Sequence, residues 1–151
     1  MTSPAPYTPP PWSAAPAAPA RLETLRGGVS LGEAPLPSAV TLLGRAAEDA
    51  AALVAGGAAA LPQEHESVSR VHAVLQYGDG GLLYLADLGS THGTSLNRKK
   101  LEPHAYRLLH DGDVIQLGAS TRLLVVLLRP TRSLTLLVIC RLVPGRTRPR
   151  N

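Results

Sequence analysis

Arginine and hydroxyl side chains occur in three short motifs of this chain, in a pattern that suits the binding of an anion. The first is Gly44-Arg45, the second is Ser-Val-Ser-Arg-Val-His-Ala at 67–73, and the third is Asp-Leu-Gly-Ser-Thr-His-Gly-Thr-Ser-Leu-Asn at 87–97. A guanidinium can give two parallel hydrogen bonds to a phosphate, and hydroxyl groups add further donors. The motifs therefore predict one phosphate site that combines Arg45 with Ser69 and Thr91.

A β-sandwich is the fold predicted to hold these motifs. From residue 21 onward, short apolar runs alternate with turn residues, which is typical of an all-β sandwich. Glycines and an aspartate at 78–81 favour a hairpin between two of the strands. Aromatic residues make up 3% of the chain, so the core must be aliphatic. The predicted strands are 21–26, 38–43, 72–77, 82–87, 94–97, 105–109, 113–117 and 122–128.

The two ends of the chain differ in composition from the predicted sandwich at 21–128. Residues 1–20 contain seven prolines, which disfavour both helix and sheet, so we predict a disordered Pro/Ala-rich leader. Residues 129–151 hold six arginines and no acidic residue, whereas residues 38–128 carry seven basic and nine acidic residues. We predict that 129–151 form a basic, disordered tail, and nucleic-acid binding through this tail stays open.

An alanine-rich segment at 46–63 interrupts the pattern of strands. Gly56-Gly57 divides it, so a short helix or a loop is predicted there rather than a regular strand. The sequence leaves open whether a strand is hidden at Ala52–Ala55 or is absent. We interpret the segment as an insertion beside the phosphate site, and we expect that excision of Ala55–Leu61 leaves the domain folded.

The three motifs, in this order, resemble the signature of the forkhead-associated (FHA) domain over roughly residues 21–128. That signature reads Gly-Arg, then Ser-x-x-His, then a turn such as Ser-Thr-Asn-Gly-Thr. The string Ser-Thr-His-Gly-Thr at 90–94 is similar to the nuclear branch of the family. The resemblance implies an FHA-type β-sandwich that binds phosphothreonine peptides across its loop ends, and a location in the nucleus, with the cytoplasm left open.

The resemblance also implies a role for each motif residue. It assigns structural support to His72, which would brace the loops through hydrogen bonds to backbone. His92 stands where the family commonly has an asparagine that holds the peptide backbone, and imidazole can supply one donor and one acceptor there. The implied ligands of the phosphopeptide are Arg45, Ser69, Arg70, Thr91 and His92, supported by Gly44, His72 and Gly93.

Other classes of function are disfavoured by the sequence. It contains no carboxylate pair, nucleophile motif or cluster of metal ligands, so we expect a binding module rather than an enzyme, with no cofactor and no metal. No apolar run approaches the roughly 20 residues of a membrane span. The expected partners are phosphothreonine-containing proteins of splicing or mRNA processing, bound by a monomer. A scaffold of the same fold that has lost its dependence on phosphate is the alternative.

Overall fold

Within residues 6–128, the part of the chain that the computed structural model describes, eleven strands form two sheets. A single α-helix, α1 (Ala47–Ala51), and a 3-10 turn at Asp79–Gly81 join the strands. The strands are β1 (Ala20–Arg26), β2 (Val29–Leu36), β3 (Val40–Gly44), β4 (Ala59–Pro62), β5 (Ala73–Tyr77), β6 (Leu83–Asp87), β7 (Thr94–Leu96), β8 (Lys99–Lys100), β9 (Arg107–Leu108), β10 (Val114–Leu117) and β11 (Arg122–Leu127).

The first sheet has the strand order β2-β1-β11-β10-β7-β8, and the second has the order β4-β3-β5-β6-β9. Every pairing is antiparallel except that of β3 with β4. The predicted all-β sandwich and the hairpin between β5 and β6 are confirmed. The predicted tail at 129–151 lies outside the described residues.

An aliphatic core fills the space between the two sheets. Leu22 and Leu124 of the first sheet pack against Leu75 and Leu85 of the second, and all four are buried. Tyr77 closes one end of this core. Its hydroxyl accepts a hydrogen bond from the Ala20 amide at 2.7 Å and donates one to the Leu36 carbonyl at 2.9 Å. The second sheet is therefore joined to the first by a buried polar contact as well as by apolar packing.

A second apolar cluster covers the outer face of the second sheet. Val40, Leu42 and Val74 point away from the main core and are nevertheless buried. Helix α1 and Tyr7 supply the cover, and this explains why every residue of β3 and β5 is buried. Because both faces of β3 and β5 are protected from water, apolar residues on the inner and on the outer face of the second sheet contribute to stability.

The N-terminal segment differs from the predicted disordered leader in the part that the structure describes. The Tyr7 hydroxyl donates to the buried side chain of Gln76 at 2.7 Å, and the Gln76 amide donates to Ser13 Oγ at 2.7 Å. Trp12 makes edge-to-face contacts with Tyr84 and Tyr106. The prolines do prevent regular structure, but aromatic and polar anchors hold residues 7–14 against the sheet. We call this segment the N-terminal strap.

The alanine-rich segment also departs from its interpretation as an insertion. The predicted short helix is present as α1, but the hidden strand lies at β4, not at Ala52–Ala55. The small residues of β4 pair in parallel with β3, and the Gln63 amide donates to the Gly44 carbonyl at 3.0 Å. The segment therefore supplies an edge strand, β4, and part of the cover over the outer face of the second sheet.

Strands β2 and β8 were not predicted from the sequence. Strand β2 is almost entirely exposed, and β8 has only two residues.

Replacement of Trp12 by alanine tests whether the strap contributes to the stability of the domain. We expect Trp12→Ala to lower the free energy of unfolding by about 2 kcal/mol, because it removes two aromatic contacts and the packing of the ring against Gly78. Thermal unfolding measures this loss as a lower Tm. Leu53→Ala is the control, since that side chain is 60% exposed. Equal Tm values for Trp12→Ala and the parent would mean that the strap adds nothing.

Candidate functional site

The turn after β3 lies directly against the loop that precedes β5. A Cβ atom on Gly44 would stand 2.2 Å from the Arg70 carbonyl oxygen, so only glycine fits there. The Arg45 amide donates to the Ser69 carbonyl at 3.1 Å, and Arg45 Nε donates to the Val68 carbonyl at 2.5 Å. The Gly-Arg pair thus places the guanidinium beside the backbone of Ser69, as the sequence predicts.

Ser69 connects this loop to the loop between β6 and β7. The Thr91 amide donates to Ser69 Oγ at 3.0 Å. The Ser69 hydroxyl accepts this bond, so its own proton stays available for a second acceptor. The Thr91 side chain is exposed beside it. Two motifs whose bonded residues are 22 positions apart in sequence are therefore joined at one place, by a bond from a backbone amide to a hydroxyl oxygen.

His72 braces these two loops from beneath. It is completely buried, its Nδ1 accepts from the Ser69 amide at 2.9 Å, and its Nε2 donates to the Gly93 carbonyl at 2.8 Å. These bonds need a neutral ring that carries its proton on Nε2. Burial lowers the pKa of His72 and favours the same state, although the bond to Gly93 opposes the shift. As the pH falls, His72 of the unfolded chain takes up a second ring proton before His72 of the folded chain does, because the folded-state pKa is the lower of the two. The contribution of His72 to stability therefore falls as the pH drops below about 6.5.

Asp87 organises the loop between β6 and β7 and was not among the predicted residues. Its carboxylate accepts from the Ser90 hydroxyl at 2.5 Å, from the Thr94 hydroxyl at 2.7 Å and from the amides of Gly89 and Ser90 at 3.0 Å. Burial raises the pKa of Asp87, but these hydrogen bonds outweigh burial and hold the pKa below its usual value. An aspartate at the end of a strand, followed by Leu-Gly-Ser, is a turn signal that would have identified it.

The remaining predicted residues lie around the same loops. Gly93 adopts a φ of 84°, and its missing side chain leaves room for the stem of Lys100, as predicted for a turn that requires glycine. Arg70, Thr91 and His92 are exposed at the surface. The structure thus brings together the loop that carries Ser69 and Arg70 and the loop that carries Thr91 and His92.

The positively charged side chains at this end of the sandwich are not neutralised by ion pairs with other described residues. Among residues 6–128, Arg45, Arg70 and Lys100 form no ion pair, whereas Arg21 pairs with Glu33 on the first sheet. The buried carboxylate of Asp87 is saturated by hydrogen bonds from its own loop. The surface therefore offers cationic and hydroxyl donors to an external anion.

The part of the chain that the structure describes offers no group of three His, Cys, Asp or Glu side chains placed to hold a metal ion. Nor does it include a helix that is long and apolar enough to cross a membrane.

The His72 side chain offers a test of the difference between a brace and a direct ligand. We expect His72→Ala to lower both Tm and anion affinity, because Ser69 and Gly93 lose their shared partner. Differential scanning calorimetry and titration with a phosphorylated peptide measure the two effects. Loss of affinity at an unchanged Tm would identify His72 as a direct ligand. His110→Ala, at an exposed position, is the control.

Comparisons of the sequence with family models and with curated proteins both find similar sequences. A family model described as the FHA domain matches residues 41–118. Human kanadaptin is 41% identical over 132 residues, which cover 80% of this chain and 16% of kanadaptin. The human nuclear inhibitor of protein phosphatase 1 is 45% identical over 60 residues, which cover 39% of this chain and 17% of that protein. The chain thus spans about a sixth of the length of these curated relatives.

The structural comparison agrees with the sequence comparison. One solved structure, described as a structural and functional analysis of phosphothreonine-dependent FHA domain interactions, is 28% identical with a TM-score of 0.56. The match covers 74% of this chain and 98% of that one. Pro-Pro-Trp at 10–12 and Leu-Arg-Gly-Gly at 25–28 predict a likeness to kanadaptin, and this likeness is confirmed.

Proposed function

This chain belongs to the forkhead-associated (FHA) domain family, and from that premise we propose that it binds phosphothreonine-containing proteins at the loops around Ser69. FHA domains are phosphopeptide-binding modules. The observation that carries the proposal is the hydrogen bond from the Thr91 amide to Ser69 Oγ, because it fixes the two hydroxyl-bearing loops beside Arg45.

Arg45 is the principal ligand in this proposal. Its Nε is engaged by the Val68 carbonyl, which orients the side chain and leaves the two terminal nitrogens for phosphate oxygens. Ser69 donates its free hydroxyl proton, and Thr91 adds its own hydroxyl from the opposite loop. A phosphothreonine carries a charge of about −1.5 to −2 at neutral pH, which the cations of Arg45 and Arg70 complement.

Arg70 and His92 complete the proposed ligand set from exposed positions. Arg70 follows Ser69 directly and can approach a phosphate oxygen from the same loop. His92 would hold the backbone of the bound peptide next to the phosphothreonine, with its imidazole in the role of an amide. Neither side chain is needed to maintain the loops, since the hydrogen bonds described above are made by other residues.

The biological role that we propose is recruitment of phosphorylated nuclear proteins of splicing or mRNA processing, without catalysis. Support comes from the relatives, which include a nuclear inhibitor of protein phosphatase 1. The proposed location is the nucleus, with the cytoplasm left open, and the proposed binding unit is a monomer. The loops around Ser69 present donors that are held in place by hydrogen bonds, which suits recognition of a bound peptide.

An array of phosphothreonine peptides tests the proposal when each peptide is compared with its unphosphorylated and phosphoserine counterparts. We expect the purified chain to bind a subset of phosphothreonine peptides and none of the unphosphorylated ones. Equal binding with and without phosphate would instead support a phosphate-independent scaffold. Binding of RNA or DNA that falls steeply with salt and survives the loss of Arg45 would support recognition through the arginine-rich tail.

A further inference from the structure

Lys100 is a cation at the edge of the proposed site that no predicted motif includes. Its stem crosses the face of Gly93, where a Cβ atom would stand 2.3 Å from Lys100 Cε and 3.2 Å from Nζ. The ammonium group therefore lies beside the loop that carries Thr91 and His92. Lys100 makes no ion pair within residues 6–128.

The backbone holds Lys100 on a strand rather than on a mobile loop. Strand β8 pairs with β7, so that Lys100 lies opposite Ser95. The turn between them contains Asn97 and Arg98 at positive φ, which is typical of a tight two-residue hairpin. The Asn97 side chain secures this turn by accepting from the Val114 amide at 2.9 Å and donating to Asp113 at 3.0 Å.

A sequence of contacts leads from the phosphate ligands to Lys100. Arg45 lies against the loop of Ser69, Ser69 bonds to the Thr91 amide, and Gly93, two residues further along, lies beneath Lys100. Two residues of chain span at most about 7 Å. The Lys100 ammonium is thus within reach of peptide residues that lie two or three positions from the phosphothreonine.

We infer that Lys100 gives this site a preference for phosphothreonine peptides with an acidic residue within three positions of the phosphate. This inference rests on the proposed function. In the proposed function Arg45 and Arg70 complement the two charges of the phosphothreonine, so Lys100, which makes no ion pair within residues 6–128, is available to a carboxylate on a flanking residue of the peptide. Electrostatic complementarity of this kind contributes to specificity more than to overall affinity.

Lys99 provides a matched control for Lys100. Both lysines are exposed and neighbouring, but successive residues of a strand point to opposite faces, so Lys99 is directed away from Gly93. Lys100→Met removes the ammonium group and keeps an unbranched apolar stem over Gly93, and Lys99→Met makes the same change on the other face. Tm values of both variants, compared with the parent, show whether either substitution alters the fold.

The experiment measures the affinity of the parent and both variants for two phosphothreonine peptides, one with aspartates in the three flanking positions on each side and one with asparagines. We expect the parent and Lys99→Met to prefer the acidic peptide about three- to fivefold, and Lys100→Met to lose that preference. The preference of the parent should also weaken as salt increases.

Three results would overturn the inference, and none of them coincides with failure of the proposed function. These results are equal binding of both phosphopeptides by the parent, a preference that Lys100→Met retains, and a loss of affinity for both peptides by the same factor in Lys100→Met. The last result would place the ammonium on the phosphate itself. Failure of the proposed function would appear differently, as an absence of binding of the parent to any phosphothreonine peptide.

Discussion

Excision of Ala55–Leu61 is expected to abolish cooperative folding of the domain. The deletion removes most of β4, whose residues 59–62 pair with residues 41–44 of β3, and it detaches the turn that follows α1. The backbone hydrogen bonds between β4 and β3, worth roughly 1 kcal/mol each, would be lost together with the cover over Leu42 and Val54. This loss approaches the whole stability of an ordinary domain, about 5–15 kcal/mol.

Circular dichroism during thermal or urea unfolding measures the effect as a missing or broad transition. A two-residue Gly-Ser insertion between Gly56 and Gly57 is the control, because these glycines are exposed and lengthening a loop costs little. We expect that insertion to unfold like the parent. A deletion variant with a parent-like transition would restore the sequence-based expectation that the segment is dispensable.

Arg45→Ala is expected to reduce phosphothreonine-peptide affinity by about tenfold or more. The substitution removes at least one charge-assisted contact, and each such contact is worth about 1.5–3 kcal/mol when partly desolvated. Isothermal titration calorimetry with a peptide from the array measures the change. Ser69→Ala should weaken binding in the same direction but by less, since a neutral hydroxyl donor is weaker than a guanidinium.

Two further variants separate the charge of Arg45 from its geometry. Arg45→Lys keeps the charge and loses the planar pair of donors, so its affinity should lie between those of the parent and Arg45→Ala. Arg26→Ala, at an exposed position remote in sequence from the site motifs, should bind as the parent does. If Arg45→Ala and Ser69→Ala both fold and keep full affinity, the assignment of the phosphate site is wrong.

Strands with a clear alternation or a clear turn were predictable from the sequence. Tyr77 and Leu83 flank a glycine-rich turn, and the hairpin between β5 and β6 followed from it. Strand β4 escaped prediction because Ala59 and Ala60 have no strong preference for a strand, and their pairing with β3 is decided by tertiary contacts. The strap escaped for a related reason, since local composition does not reveal the distant partner Gln76.

The candidate site was predictable in its motifs but not in its supports. Spacing and residue type identified Ser69, and the resemblance assigned His72 a bracing role that agrees with its burial and hydrogen bonds. The supporting role of Asp87 depends on four hydrogen bonds within its own turn, and the position of Lys100 depends on the register of a two-residue strand. A turn signal marks Asp87 itself, but its bond to Thr94 and the placement of Lys100 are set by three-dimensional contacts that no sequence pattern specifies.

The pairing of β1 with β11 has a consequence for how the chain folds during its synthesis. Arg21 lies opposite Leu127, so the first strand of the described sandwich pairs with the last strand described, about 100 residues later in the order of synthesis. Until β11 emerges, the hairpin of β1 and β2 has an open edge and the apolar side chain of Leu22 has no cover from Val126. Folding of this sandwich is therefore completed after translation of β11, and its non-local pairing predicts folding in milliseconds to seconds rather than microseconds.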